Sequence, residues 1–255
     1  MSTDTEQPLV GGMVNAVVRV GDTVRRTSGP WTPAVHSLLE HLASVGFRYS
    51  PLPLGIDDSG REILTFLPGE TSLRPWPAIV ASDDGMSQMA GMVAELRAAV
   101  RTFPTQADQV WRTGGVPGRE HREIRHGDVG PWNMLWDGDR LVGLIDWEFA
   151  EPAPALWDFA QLAWYAVPLS PDPQAWRDCG FPEEPDYLAR VDIICEHAGC
   201  SRPQLTEALL DLLACERERI GTWGAADVHP FDSFLERGFI TETDTLITWL
   251  QSRPL

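Results

Sequence analysis

The sequence predicts an α+β chain of two lobes, a small antiparallel sheet carrying one helix and then a larger, mainly helical part. Three observations lead there. Short β-rich runs bounded by turn residues occupy the first 67 residues, with a single helical stretch among them. A Pro68-Gly69 breaker closes the last of these runs, and helical periodicity dominates afterwards. The expected boundary therefore separates residues 1–67 from residues 68–255.

Taken in order, residues 8–26 read as two or three short strands. Ala16-Val17-Val18-Arg19-Val20 is β-rich, Gly21-Asp22 is a hairpin turn signal, and Thr23-Val24-Arg25-Arg26 returns. After Gly29-Pro30, Trp31 to Leu42 reads as a helix. Thr32-Pro33 supplies an N-cap and a first-turn proline, and Val35, Leu38, Leu39 and Leu42 repeat with helical period. An extended Pro51-Leu52-Pro53-Leu54, a turn at Asp57-Asp58-Ser59-Gly60 and a strand from Glu62 to Leu67 complete the first lobe. Beyond Pro68 the clearest helix covers residues 87–100.

Composition narrows the function. The 255 residues are 43% hydrophobic and 22% charged, an ordinary globular balance. Thirty-seven acidic against 20 basic residues give a formal charge of −17, which repels nucleic acid and anionic membrane surfaces. The same charge would favour a cationic small-molecule partner, but the plainer reading is that the acidity serves solubility. The four cysteines form no CxxC and no zinc-like spacing with histidine. No apolar run reaches the ~18–20 residues of a membrane span, and the polar MSTDTEQP start is unlike a secretory leader. A cytoplasmic, soluble protein is expected.

The chemistry concentrates in residues 126–160, HGDVGPWNMLWDGDRLVGLIDWEFAEPAPALWDFA. Met134-Leu135-Trp136, Asp137-Gly138-Asp139 and Leu141 to Ile145 form a hairpin signature with an Asp-Gly turn. Folding it back sets Asn133 opposite roughly Val142 to Leu144, with Asp146 just beyond. An amide oxygen and a carboxylate meeting there make a hard-oxygen pair suited to Mg²⁺, which takes its other ligands from water and phosphates. Asp128 stands five residues before Asn133 on a loop containing Gly127, Gly130 and Pro131, where a carboxylate can deprotonate an acceptor hydroxyl. Protein-kinase catalytic loops share this Asp-x-x-x-x-Asn spacing. Glu148, two residues past Asp146, reads either as a water-mediated metal contact on the same strand face or as an exposed side chain.

His-Gly-Asp, four residues, Asn, an Ile-Asp-Trp-Glu strand end and an Asp-Phe-Ala helix start together resemble the aminoglycoside phosphotransferase and choline kinase superfamily. The resemblance implies a protein-kinase-like fold, ATP or GTP with Mg²⁺ as cofactors, and a small-molecule hydroxyl as acceptor. It makes Asp128 the catalytic base, Asn133 and Asp146 the metal ligands, and His126 and Asp158 braces of the catalytic loop; a helix N-cap is a second reading of Asp158. Gly11 and Gly12 fall in the phosphate-covering turn, and Thr65, Phe66 and Leu67 in the segment that would hold the nucleobase.

The strand that should carry a phosphate-contacting lysine offers Arg25 and Arg26 instead, of which alternation lets one face the cleft. The glutamate expected on the following helix is missing from its place, where His36 and Glu40 stand. That departure leaves open a catalytically silent protein that binds a nucleotide or metabolite. An unrelated metal-dependent hydrolase built on Asp128 and Asp146 lacks a supporting carboxylate–histidine cluster. Acids such as Asp178, Glu183 and Glu216, or aromatics such as Trp164, Tyr165, Trp176 and Trp223, could serve a cationic acceptor. The spacing of Trp157 and Trp164 instead suggests packing on one helix face.

Overall fold

In the computed structural model, residues 6–9, 17–106, 108–115, 123–253 and 255 are described; Gly11 and Gly12 lie outside them. The N-terminal sheet comprises β1 (Gln7–Pro8), β2 (Val18–Val20), β3 (Thr23–Thr27), β4 (Pro53–Ile56) and β5 (Arg61–Thr65). Its order is β1-β2-β3-β5-β4, antiparallel throughout. Between β3 and β4 runs α1 (Thr32–Ser44), which buries Leu38, Leu39 and Leu42 completely, as their helical spacing dictates. Thr32 is not its N-cap: Trp31 occupies that position, and the Thr32 Oγ1 accepts from the Gly29 N–H at 2.9 Å. Gly29-Pro30 thus folds back onto the helix start, a turn in which the threonine serves the preceding loop.

After the sheet come β6 (Glu70–Thr71), α2 (Ala78–Ala81) and α3 (Asp83–Val100), the last starting four residues before the expected helix. Then follow β7 (Glu123–Arg125), β8 (Met134–Asp137), β9 (Arg140–Leu144) and β10 (Glu151–Ala153). These strands form two small sheets, β6-β8-β9 and β7-β10. The remainder is helical: α4 (Trp157–Ala166), α5 (Pro173–Asp178), α6 (Tyr187–Ala198), α7 (Arg202–Gly224), α8 (Phe231–Glu236) and α9 (Phe239–Ser252). An N-terminal antiparallel sheet followed by a mainly helical part is the kinase-like arrangement that the sequence predicts.

The chain divides into two compact units, residues 1–72 with 92–155, and residues 73–91 with 156–255. The first unit holds the N-terminal sheet together with β6 to β10. Its core includes the buried Leu64, Met134, Leu144 and Trp147, and α1 packs on β4 and on the turn at residues 147–149. The second unit is built on α7, whose capping box at Ser201 and Gln204 satisfies its first amides and which packs against α4, α6, α8 and α9. Arg190, buried on α6, gathers the carbonyls of Val80, Ala81, Ser82 and Ala166 at two helix ends. Trp157 lies in this unit's core, while Trp164 is half-buried and stacks on Tyr165 at 4.7 Å. All four cysteines are free thiols. Among the described residues no helix is long and apolar enough to cross a membrane.

Candidate active site

The hairpin of β8 and β9 closes through Gly138 and Asp139, with Asp137 opposite Arg140. Between Leu135 and Trp136 the register shifts, Trp136 facing Leu141 and Leu135 facing Gly143, so that Val142 bulges. Met134 therefore faces Leu144, and the Ile145 N–H donates to the Asn133 carbonyl at 2.9 Å. The bulge carries Asn133 one residue beyond the expected Val142–Leu144 range. Asp146 comes next, and it does not continue the strand. Its backbone is left-handed (φ 67°, ψ 64°) and it heads a 3₁₀ turn over Trp147–Phe149. A non-glycine residue in this region costs about 1–3 kcal/mol and concentrates at functional sites.

The loop from His126 to Asn133 is held at both ends. His126 is fully buried; its Nδ1 accepts from the Asp128 N–H at 3.1 Å, which leaves Nε2 as the protonated nitrogen donating to the Ile145 carbonyl at 3.1 Å. Burial pushes its pKa down to about 4, so the ring is a neutral staple between the loop and the residue before Asp146. Gly127 (φ 85°) has no alternative, because a Cβ there would lie 2.2 Å from the Phe149 carbonyl oxygen. The Asn133 Nδ2 donates to the Asp128 carbonyl at 2.9 Å and to Asp128 Oδ2 at 2.7 Å, and the Trp132 Nε1–H reaches the same Oδ2 at 3.3 Å. Burial and the nearby Asp146 charge nevertheless raise the Asp128 pKa to about 7.

Of the two candidate arginines, Arg26 enters this centre. Its Nη2 donates to Asp146 Oδ1 at 2.8 Å and to Glu148 Oε2 at 2.9 Å, and its Nε lies 3.0 Å from Glu62 Oε1. Arg25 turns to the other face, bonding Thr23 Oγ1 at 2.6 Å and pairing with Asp57. The three carboxylates hold the Arg26 pKa above its ordinary value despite burial. All 20 basic residues of the chain are arginine, so no lysine was available for this place.

The partner glutamate comes from the sheet. Glu62 lies directly opposite Arg26 in the β3–β5 register, and His36 of α1 meets its other oxygen at 3.0 Å. Strand and helix thus share what the helix alone was expected to supply. Glu148 is neither exposed nor on a strand face: it is buried in the 3₁₀ turn, bonded to Arg26 and, at 2.6 Å, to Arg112. The Arg112 guanidinium is itself held by Trp31 and Phe149, 4.6 and 4.9 Å from their ring centroids. Burial and the adjacent Asp146 charge push the Glu148 pKa upward.

Glu62, Arg112 and a second buried pair were not singled out by sequence reasoning. That pair joins Arg125 to Glu151, with Arg125 Nε and Nη2 2.9 and 2.5 Å from Glu151 Oε1, and Thr113 Oγ1 donating to the other oxygen at 2.5 Å. It clamps β7 to β10 immediately beneath the His126 loop. Of the nucleobase segment, Thr65 and Phe66 donate their amides to Leu52 and Asp22 carbonyls, both at 2.9 Å. Asp158 lies in the first turn of α4 in the second unit; Leu156 is the N-cap there, so the N-cap reading of Asp158 does not hold.

Hard-oxygen donors suited to Mg²⁺ are present. Asn133 spends its amide hydrogens on Asp128, which leaves its carbonyl oxygen for a cation. Asp146 engages Arg26 through Oδ1, and its second oxygen is a further hard donor. Among the described residues no group of three or more His, Cys, Asp or Glu side chains could hold a metal ion. Two protein oxygens with water and phosphate completing the sphere is the arrangement Mg²⁺ accepts.

Residues 105–177 match the APH phosphotransferase enzyme family, a segment that includes Asp128, Asn133, Asp146 and Asp158. Over 201 residues the chain is 35% identical to the trifolitoxin immunity protein of Rhizobium leguminosarum bv. trifolii, covering 77% of this chain and 75% of that protein. The chain belongs to the APH phosphotransferase family. Solved structures of 18% identity or lower share its fold. A choline/ethanolamine kinase family protein from Mesorhizobium loti superposes with a TM-score of 0.62 at 18% identity, over 96% of this chain and 88% of that one. The GDP and kanamycin complex of the aminoglycoside phosphotransferase APH(2")-IIia gives 0.58 at 16%, over 100% and 95%. ADP-bound APH(2'')-Ib gives 0.58 at 11%, over 98% and 94%.

Proposed function

We propose that this APH-family chain is a cytoplasmic, Mg²⁺-dependent O-phosphotransferase moving the γ-phosphate of ATP or GTP to a hydroxyl of a small molecule. The observation that carries the reading is the junction of Asp128, Asn133 and Asp146 at one end of a single hairpin, with Arg26 on the same carboxylate. Asn133 and Asp146 would hold the metal, whose contribution when bound is to neutralise phosphate charge. Asn133 and Trp132 fix Asp128 Oδ2, so Oδ1 is the oxygen that receives the acceptor's proton. As that proton leaves, the acceptor oxygen forms its bond to the γ-phosphorus and the bond to the bridging oxygen breaks, its electron pair departing with the nucleoside diphosphate. Arg26 faces the phosphates in the place of the lysine, oriented by Glu62 and Glu148. With the Thr65 and Phe66 amides engaged, Leu67 is the main-chain position for a nucleobase edge. His126 braces the loop.

The relatives direct the search for the acceptor. One carries the name of an immunity protein against trifolitoxin and others bind aminoglycosides such as kanamycin. We therefore assign the acceptor to hydroxylated antimicrobial small molecules, for which the acidic surface suits cationic members. A second reading, a silent binding protein, draws on Asp146 being ion-paired to Arg26. Incubation with MgATP or MgGTP and an aminoglycoside panel, read by mass spectrometry for phosphorylated product and by diphosphate release, separates them. Product formed by the parent and lost in Asp128→Ala supports transfer; nucleotide binding without any hydrolysis or transfer supports the binding protein.

A further inference from the structure

The junction of α6 and α7 brings two thiols together. Gly199 is left-handed (φ 65°, ψ 38°) at the end of α6. Its N–H donates to the Glu196 carbonyl at 3.3 Å, and the Cys200 N–H donates to the Cys195 carbonyl at 3.1 Å. This pair of bonds is the Schellman closure, in which the side chains flanking the turn, here those of 195 and 200, pack on each other. Both are cysteine, and the Cys195 thiol hydrogen-bonds to the Cys200 sulfur. The other two thiols, Cys179 and Cys215, are buried.

The two partners differ in their surroundings. Cys195 is buried, and burial together with the Cys200 sulfur pushes its pKa up to about 12, so it keeps its proton. Cys200 is half-buried and stands directly before Ser201, the N-cap of the 23-residue α7, whose first residue is Arg202. A helix N-terminus and a guanidinium beside it favour a thiolate over a thiol. Arg202 also grips Asp192 of α6 through Nε and Nη2, and Ser201 closes its capping box with Gln204. Cys200 is therefore fixed from both sides against Cys195, and little chain movement is needed to join the sulfurs.

We propose that Cys195 and Cys200 are a peroxide-responsive pair, in which Cys200 is oxidised first and Cys195 then closes a disulfide across the end of α6. The Cys200 thiolate attacks one oxygen of hydrogen peroxide. The S–O bond forms, the O–O bond breaks, and the departing hydroxide takes up a proton as water, leaving a sulfenic acid. The Cys195 sulfur next attacks the Cys200 sulfur. Its proton leaves with the displaced hydroxide as a second water while the S–S bond forms. Two thiols lose two electrons in all, and the peroxide is reduced to two waters. The pair stands apart from the hairpin of Asp128, Asn133 and Asp146, and the inference does not depend on phosphotransfer.

The test treats the folded full chain with dilute hydrogen peroxide, alkylates the remaining thiols with iodoacetamide in denaturant, and maps the peptides by mass spectrometry. The peptide holding Cys195 and Cys200 should lose two hydrogens and take no alkyl group, while Cys179 and Cys215 are alkylated. Dithiothreitol before alkylation should restore all four alkylated cysteines. In Cys195→Ser the sulfenic acid at Cys200 should persist and be trapped by dimedone. In Cys200→Ser oxidation of Cys195 should slow by about tenfold or more, as its thiolate is scarce. All four cysteines alkylated in the peroxide-treated parent, or a bridge that includes Cys179 or Cys215, would overturn the proposal without recourse to any variant. So would a Cys200→Ser protein in which Cys195 is oxidised as fast as in the parent.

Discussion

The Arg26 guanidinium on β3 lies 2.8 Å from the Asp146 carboxylate, 120 positions further along the chain. This contact ties the N-terminal sheet to the hairpin end where Asn133 stands, and Glu62 and Glu148 complete a ring of three carboxylates around one cation. A lysine ammonium would be a point charge, whereas the arginine fork meets carboxylates from two directions at once.

Removing that cation should be felt in stability before any question of catalysis. Arg26→Met leaves Glu62 and Glu148, both buried, with their shared counter-charge gone, and should destabilise the fold by about 3–5 kcal/mol in urea unfolding. Arg26→Lys should fall between, since it restores charge without the fork. A midpoint for Arg26→Met equal to the parent's would show that the network contributes nothing.

Asp128 sets a pH signature. Its pKa in the folded, metal-free protein, about 7 against an ordinary 3.8, means the folded chain keeps a proton that the unfolded chain releases. The stabilisation from that proton is full below about pH 4 and is lost as pH rises through about 7. Asp128→Asn cannot ionise and should flatten that part of the stability–pH curve. The parent's turnover should rise with pH across the same window, as the base ionises; a rate independent of pH between 5 and 8 would remove Asp128 from that role.

Glu151 anchors the floor of the loop. Glu151→Ala strands the buried Arg125 charge and should cost about 3–5 kcal/mol, while Glu151→Gln, which keeps a carbonyl oxygen for Arg125 and an NH₂ that the Thr113 hydroxyl can accept from, should cost less. Denaturant midpoints of the two variants check the order.

Much of this was legible in the sequence because it is local. The hairpin of β8 and β9 announces itself through Asp137-Gly138, and the order Asp128, Asn133, Asp146 then follows from chain connectivity. A one-residue bulge at Val142 has no compositional mark, and it shifted the facing residue from the expected range to Ile145. Glu62 escaped because a polar residue on an alternating strand reads as solvent-facing; its burial depends on Arg26 arriving from the neighbouring strand. The absence of any lysine in the chain was the available signal that an arginine must take the phosphate-side position. Arg112 and Glu151 depend on partners 36 and 26 residues away, respectively, and no local pattern marks such pairs.

The most direct measurement is thermal unfolding against ATP and GTP, with Mg²⁺ and with chelator, for the parent and Asp146→Ala. At a hundred times its dissociation constant a ligand stabilises by ~2.7 kcal/mol, roughly 5–10 °C for a chain of this size. A shift of that order is expected with at least one nucleotide, dependent on Mg²⁺, with loss of the Mg²⁺ dependence in Asp146→Ala. No shift with either nucleotide, or an equal shift in the presence of chelator, would contradict it.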